Sequence, residues 1–399
     1  MPVSFSGLYE QIYSFDNLLQ AWQKARRGKR KLREVLRFEL DLEGNLIALQ
    51  NELMWDQYAP GAYRYFTISL PKPRQIASLP FRDRVLQHAI NNIIEPIWEA
   101  RFIPTSFACR PNRGTHACAD KVQDFIRSVQ QTHGRVYALK ADISKFFASI
   151  HRPTILKLLE RHINCQRTLA LIKRIVYADG IDTEFGIPIG NLTSQLMANV
   201  YLHQLDIEAK QTVGVKLYAR YMDDFCIIHH DKQYLHAVRA HLEDWLHDNL
   251  LLRTNNKTQV FRVGVKNGSA LDFVGYRIYA THRLLRRDSI KRIKTSLSRL
   301  RRLYADGRID LGKVRPVVHS WIAHASQANT MGLRQKILNS FAFVRRGPIP
   351  SGDIHAAIQD ADPGEPSMVP AAGHSVGADP YRATGSGRSS SARRPRRIQ

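Results

Sequence analysis

Apolar residues at helical spacing cover most of the chain. Leu192, Leu196, Val200 and Leu205 fall near one face of a helix over residues 192–209, which is the pattern of an amphipathic helix packed on a core. Comparable patterns predict further helices in residues 1–58, 81–100, from about 153, 232–249 and 285–345. The chain is therefore expected to be mainly helical.

Strand-like segments lie between these helices. Tyr63, Tyr65 and Thr67 alternate with other residues until Pro71 ends the pattern. Compact apolar runs predict two further strands at 136–143 and 271–279 and a hairpin at 218–228. Helices interleaved with strands and a hairpin predict an α+β fold, in which a sheet has helices packed on one face.

Charge adds a class of partner to this picture. The 399 residues include 59 Lys and Arg against 35 Asp and Glu, which gives a net charge of +24. The basic residues cluster at 24–33 and 283–303. Such an excess predicts a polyanionic partner, most often nucleic acid. Residues 347–399 are dominated by Pro, Gly, Ser, Ala and Arg, so they are predicted to form a disordered basic tail.

The remaining composition predicts an ordinary intracellular protein. The cysteines are scattered with no CxxC pair, which favours neither a zinc site nor a disulfide scaffold. No apolar run has the length of a membrane span, and the N-terminus lacks the plan of a signal peptide. We therefore expect a cytoplasmic location and no membrane partner.

Two adjacent carboxylates interrupt an otherwise apolar hairpin. Asp223 and Asp224 stand in the run YARYMDDFCII at 218–228, and Asp142 ends the strand candidate VYALKAD. A plain turn would account for Asp-Asp alone, because Asp is a common turn residue. Three carboxylates at strand ends in a basic chain also match a two-metal phosphoryl-transfer site, with two Mg²⁺ ions as cofactors and Mn²⁺ as a second candidate.

The motifs YMDD at 221–224 and ADISKFFASI at 141–150 resemble those of the reverse transcriptases. The resemblance extends from about residue 60 to about residue 300 and includes several motifs in the family's order. It implies a right-hand polymerase fold and RNA-directed DNA polymerase activity, with Asp142, Asp223 and Asp224 as catalytic metal ligands. The implied parts are a basic helical N-terminal extension at 1–58, fingers at 59–135, a palm at 136–280, a helical thumb at 281–346 and the tail at 347–399.

The resemblance assigns further roles around the incoming nucleotide. Phe147 matches the family's aromatic steric gate, and the alternative is a core phenylalanine. Lys72 and Arg74 resemble the basic residues that clamp the triphosphate, and the alternative is a solvated basic loop. Ile189 and Gly190 fall in the loop beside the nucleotide.

Two further segments match the family near the product of the reaction. Lys257 matches a lysine near the leaving pyrophosphate that can serve as a general acid. Phe273, Gly275 and Tyr276 resemble the primer grip, where a glycine lets the backbone approach the primer strand. An ordinary strand with a bulge is the alternative for that segment.

The loop GIPIGNLTSQ at 186–195 indicates a subtype. Ile189 stands where most of the family has glutamine, as in the reverse transcriptases of diversity-generating retroelements. The segments FACRPNRGTHA at 107–117 and HSWIAHA at 319–325 are similar to that group too. Membership implies error-prone copying of template adenines, a template-repeat RNA that serves as template and primer, dNTP substrates and a small basic accessory protein. A group II intron maturase-like enzyme, a retron or defence reverse transcriptase and a non-catalytic RNA-binding relative stay open.

Overall fold

The structure is a computed structural model that describes residues 4–68, 73–178 and 183–346. The predicted tail at 347–399 and the predicted nucleotide ligand Lys72 lie outside the described residues. The predicted borders of fingers, palm and thumb stay predictions.

The described residues form fourteen α-helices and nine β-strands. The helices are α1 Leu8–Tyr13, α2 Phe15–Ala25, α3 Arg33–Glu39, α4 Leu42–Met54, α5 Phe81–Glu99, α6 Thr115–His133, α7 Phe146–Ser149, α8 Arg152–Glu160, α9 Gln166–Val176, α10 Leu192–Ile207, α11 Lys232–Leu250, α12 Arg287–Ala305, α13 Leu311–Ser326 and α14 Met331–Asn339. The strands are β1 Arg64–Ile68, β2 Arg74–Ser78, β3 Val136–Asp142, β4 Tyr218–Tyr221, β5 Asp224–His229, β6 Gln259–Val263, β7 Leu271–Phe273, β8 Tyr276–Ile278 and β9 Arg283–Leu285.

Short polar side chains fix where several helices begin. The Asp231 carboxylate accepts hydrogen bonds from the backbone N–H groups of Gln233 and Tyr234 at the start of α11. Asp310 caps α13 in the same way, and Ser14 caps α2. These caps satisfy N–H groups that have no partner within the first helical turn.

A four-stranded antiparallel sheet lies at the centre, in the order β4-β5-β3-β6. Side chains alternate between its two faces. Leu139 and Ile227 pack into the core that contains α5, α10 and α11. Ala138 and Ile228, one residue along each strand, pack into a second core with α6 and the small sheet β7-β8-β9.

The predicted α+β class is confirmed, and the sheet is covered on both faces. Helices were predicted on one face, where α11 lies. On the other face α6 adds a helix, because Cys118, Val122 and Ile126 form an apolar stripe at spacing of four residues.

The predicted single strand over residues 271–279 is wrong. The chain forms two strands, β7 and β8, with Phe273 paired to Tyr276 across a two-residue turn. Gly275 has a φ of 91° in that turn, a conformation that glycine adopts without strain.

Candidate active site

The central sheet brings two of the three predicted carboxylates directly opposite each other. Asp142 is the last residue of β3, Asp224 is the first residue of β5, and the two are paired in register. Residues paired in this way have Cα atoms about 4.5–5.5 Å apart. Asp223 lies in the β4–β5 turn, where its carbonyl oxygen accepts a hydrogen bond of 3.3 Å from the Ile143 N–H. All three residues therefore lie at the same end of the sheet, where the inner strands β3 and β5 meet.

A buried arginine supports the turn that carries Asp223. Met222 has a φ of 57°, in the left-handed region that non-glycine residues rarely adopt. The Arg220 guanidinium donates a hydrogen bond of 3.1 Å to the Met222 carbonyl oxygen. The same guanidinium donates to both carboxylate oxygens of Asp206 at 2.7 and 2.6 Å, and both side chains are fully buried.

The Asp206 carboxylate is held further by Tyr218, whose hydroxyl donates to it at 2.8 Å. Asn199 accepts a hydrogen bond of 3.2 Å from Arg220. The buried Arg220–Asp206 ion pair was not predicted from the sequence. The available signal was a single arginine among the apolar residues of YARYMDD, because a charge buried in a strand needs a partner.

The electrostatics of the site favour a cation. Burial, followed by the charge of Asp142 and then that of Asp224, raises the pKa of Asp223 to about 6, and Arg74 acts in the opposite direction. Burial also raises the pKa of Asp224, where Lys140 and Arg286 act against Asp142 and Asp272. These partly buried carboxylates thus repel one another, and a positive ion between them would relieve that repulsion.

The donor set suits Mg²⁺, which prefers hard carboxylate oxygens and retains waters and substrate phosphates. Within residues 4–68, 73–178 and 183–346, no three His, Cys, Asp or Glu side chains lie close enough together to hold a metal ion. Support for a metal ion here therefore comes from the carboxylate oxygens and their mutual repulsion, and not from a preformed cluster of three ligands among the described residues.

Asn255 connects two of the predicted site residues. Its amide nitrogen donates a hydrogen bond to the Asp142 carboxylate, and its Oδ1 accepts one of 2.8 Å from the Lys257 N–H. The Asn255 N–H also donates to the Asp142 carbonyl oxygen at 2.8 Å. Lys257 is exposed and lines a concavity of about 330 Å³ together with Lys140. The role of Asn255 was not predicted from the sequence.

The loop that carries Ile189 and Gly190 is fixed to β2 and its surroundings. The Ala77 N–H donates a hydrogen bond of 2.8 Å to the Ile189 carbonyl oxygen. The Asn191 amide donates to the Tyr63 hydroxyl at 2.6 Å. The Ile189 side chain is 37% exposed, so it is available for contact while its backbone is held.

Gly190 permits this close approach. Its φ is 127°, and a Cβ atom at this position would lie less than 3.0 Å from the Ala77 carbonyl oxygen. A backbone atom cannot rotate away, so any side chain here would separate the loop from β2.

Gly190→Ala is accordingly expected to raise the KM for dNTP by about tenfold or more, because it displaces the loop from β2. A loss of about 1.4 kcal/mol in the free energy of dNTP binding already corresponds to a tenfold change. Steady-state primer extension at varied dNTP concentration measures the change. Gly28→Ala is the matched control, since Gly28 also has a positive φ but its Cβ would meet nothing within 4 Å. An unchanged KM in Gly190→Ala would show that the loop does not position the nucleotide.

Two other predicted residues, Phe147 and Arg74, have clear positions. Phe147 lies in α7, is partly buried against the first core, and has its ring centroid 5.5 Å from that of Phe146. Its carbonyl oxygen accepts a hydrogen bond of 2.9 Å from Ile187, which joins it to the loop of Ile189. Arg74 is the exposed first residue of β2, and its charge reaches Asp223.

The predicted primer-grip residues differ in what they expose. Phe273 and Tyr276 are fully buried in the second core, so their rings face the protein interior. The Val274–Gly275 turn between them is partly exposed. The Phe273 and Tyr276 rings are therefore unavailable to a primer, whereas the turn backbone is accessible.

Residues 69–278 match the model of the reverse transcriptase (RNA-dependent DNA polymerase) family. The chain is a member of this family. Its fold is the right-hand polymerase fold, and the predicted RNA-directed DNA polymerase activity is confirmed at the level of the family. No helix in the described part of this reverse transcriptase is long and apolar enough to cross a membrane.

Several relatives of this reverse transcriptase come from bacterial retroelements and genomes. Protein YkfC of Escherichia coli K12 is 27% identical over 271 residues, covering 58% of this chain and 70% of YkfC. The retron Ec48 reverse transcriptase of E. coli is 25% identical over 253 residues, covering 61% of this chain and 59% of that protein. The group II intron-encoded protein LtrA of Lactococcus lactis is 28% identical over 141 residues, covering 34% of this chain and 22% of LtrA. The chain thus spans a small part of LtrA and most of YkfC.

Proposed function

We propose that this reverse transcriptase copies a template-repeat RNA into cDNA and introduces errors opposite template adenines, as in a diversity-generating retroelement. The observation that carries the proposal is Ile189, which stands in the nucleotide-side loop where most of the family has glutamine. Its side chain is partly exposed, and an isoleucine cannot donate or accept a hydrogen bond there. Loss of a directional polar contact weakens discrimination between correct and incorrect base-pair geometry.

The proposed chemistry is two-metal nucleotidyl transfer. Asp142, Asp223 and Asp224 would hold two Mg²⁺ ions, with Asp223 as the stronger ligand because it lies in the turn. When bound, the ions activate the attacking primer hydroxyl and stabilise the leaving pyrophosphate. The carboxylates supply negative charge at one end of the sheet. Arg220 supports the left-handed conformation of Met222 in the turn that presents Asp223.

Other residues act on the incoming dNTP. Arg74 and Lys72 neutralise triphosphate charge, which for Arg74 agrees with its electrostatic effect on Asp223. The Phe147 ring blocks a 2′-hydroxyl, and Lys257 donates a proton to the leaving pyrophosphate. Gly190 keeps the loop against β2, so that the Ile189 side chain faces the nucleotide.

Template RNA and primer are the proposed macromolecular partners. Helix α12 has an exposed basic face suited to phosphate contacts, formed by Arg287, Lys291, Arg292, Lys294, Arg299, Arg301 and Arg302. The Val274–Gly275 turn approaches the primer through its backbone. A small basic accessory protein is a further proposed partner, because the resemblance to diversity-generating retroelements implies one.

A retron or group II intron role is the second candidate. The similarity to the retron Ec48 enzyme and to the group II intron-encoded protein LtrA favours it. These enzymes would share the catalytic residues, so fidelity is the property that separates the two proposals.

Primer extension on a mixed-sequence RNA with Mg²⁺ and four dNTPs, followed by sequencing of the products, tests the proposal. We expect misincorporation concentrated opposite template adenine in the unmodified enzyme. Ile189→Gln is expected to lower that misincorporation about fivefold or more, because a restored hydrogen bond contributes about 1 kcal/mol or more to discrimination.

Ile189→Leu is the matched control, since it keeps an apolar side chain and should keep the error spectrum. Accurate synthesis by the unmodified enzyme would favour the retron or intron role. An unchanged spectrum in Ile189→Gln would remove Ile189 as the source of the errors.

A further inference from the structure

Three segments that are distant in sequence meet at one tyrosine hydroxyl. Tyr276 Oη lies 3.0 Å from His116 Nδ1, 3.1 Å from His324 Nδ1 and 3.2 Å from the His324 carbonyl oxygen. His116 belongs to the segment 107–117 and His324 to the segment 319–325. We name these three residues the His–Tyr–His cluster. It joins α6, β8 and α13.

The hydrogen bonds of the cluster have one consistent arrangement of protons. A hydroxyl donates one proton and accepts through its oxygen lone pairs. Because a carbonyl oxygen can only accept, Tyr276 donates to the His324 carbonyl. Both histidines then donate to Tyr276 Oη from Nδ1–H. These three hydrogen bonds form only when α6, β8 and α13 are in contact.

Positive charge predominates around the cluster, and the Asp120 carboxylate is the opposing negative charge. The Arg283 guanidinium lies 5.4 Å from the centroid of the Tyr276 ring and forms an ion pair of 2.6 Å with Asp120 of α6. Arg292 of α12 acts on His324, and the two imidazole centroids are 6.0 Å apart. His116 and His324 are therefore best accommodated as neutral side chains.

The cluster lies directly behind the hairpin turn. A Cβ at Gly275 would be 3.9 Å from His324 Cε1, so the α13 imidazole lies beside the turn. Tyr276 itself is fully buried, and its hydroxyl bonds to α13 twice. The position of the Val274–Gly275 turn is thus set by contacts to α6 and α13.

We infer that the His–Tyr–His cluster is a positioning device that holds the Val274–Gly275 turn and helix α13 in one arrangement for gripping the primer–template duplex. The inference rests on the proposed role of this turn at the primer. The three residues act through the turn, and none of them contacts the substrate.

Acid is expected to weaken the cluster. Burial, with Arg283, lowers the pKa of His116 despite the opposing effect of Asp120. Burial, with His116 and Arg292, lowers the pKa of His324. A lowered pKa means that the docked arrangement binds fewer protons than the undocked one. Its stability therefore falls as the pH drops below about 6.5, the ordinary pKa of histidine.

Tyr276→Phe in the full-length protein tests the inference, because it removes the hydroxyl and keeps the buried ring. We expect the Kd for a primer–template duplex to rise about five- to tenfold, because the hydroxyl at the centre of the three buried hydrogen bonds is lost. The affinity of the unmodified enzyme should fall between pH 7.5 and pH 5.5 more steeply than that of Tyr276→Phe. Fluorescence anisotropy with a labelled duplex measures both properties.

Tyr279→Phe is the matched control, since its hydroxyl lies one residue beyond β8 and outside the cluster. His324→Asn should retain most of the affinity that His324→Leu loses, because the asparagine amide can still donate near the Nδ1 position. This pair separates a positioning role from poor folding.

Equal duplex affinity and equal pH profiles for Tyr276→Phe and the unmodified protein would overturn the inference. Duplex affinity is measured without synthesis, so its result is independent of error rate. Accurate copying would contradict the proposed diversity-generating role and would leave the inference about the His–Tyr–His cluster unaffected.

Discussion

Asp223→Asn is expected to reduce DNA synthesis by at least about a thousandfold. Loss of one oxygen ligand weakens metal binding at the point where charge develops, and effects of this size follow from removal of a single preorganised electrostatic group. Primer extension with Mg²⁺ on a defined RNA template measures the loss. Asp244→Asn on the exposed face of α11 is the matched control and should leave synthesis unchanged. Residual synthesis within about tenfold of the unmodified enzyme would contradict the assignment.

Thermal unfolding separates a metal-binding role from a folding role at the same position. Without metal, Asp223 is partly buried and repelled by Asp142 and Asp224, so a neutral Asn should leave the melting temperature unchanged or raise it. With Mg²⁺, the unmodified protein should gain stability because the ion binds only the folded state. Asp223→Asn should gain less. An equal Mg²⁺-dependent gain in both proteins would place the ion elsewhere.

Local patterns in the sequence were enough to predict much of the fold. The helix expected over 192–209 is α10 followed by a π-helical turn, and the strand expected over 136–143 is β3. The apolar runs next to Asp142 and Asp224 indicated strand ends, and the structure has Asp142 at the end of β3 and Asp224 at the start of β5. In such cases the hydrophobic period and the motif itself carry the information.

The supports of the site depend on contacts between distant segments, which no local pattern specifies. Asn255 reaches Asp142 across 113 positions, and Ala77 binds the loop of Ile189. The hairpin over 271–279 was predicted as one strand because its apolar residues continue through the turn. Only the partner strand shows that Phe273 and Tyr276 face each other.

Arg220→Met is expected to lower the free energy of unfolding by about 3–5 kcal/mol, because it leaves the Asp206 carboxylate buried without its ion partner. Chemical denaturation measures the loss. Arg239→Met is the matched control. Arg239 forms an i,i+4 pair with Glu243 on the surface of α11, and that pair contributes about 0.5 kcal/mol or less.

The double variant Arg220→Met with Asp206→Leu distinguishes stability from positioning. Removing both buried charges should recover most of the lost stability, because the uncompensated carboxylate is gone. Activity should stay low, since the Met222 carbonyl still lacks its donor and the left-handed turn under Asp223 loses its support. If the double variant regained stability and full activity together, the Arg220–Met222 hydrogen bond would have no part in presenting Asp223. If it regained stability alone, the buried pair would be a positioning device for the catalytic turn as well as part of the core.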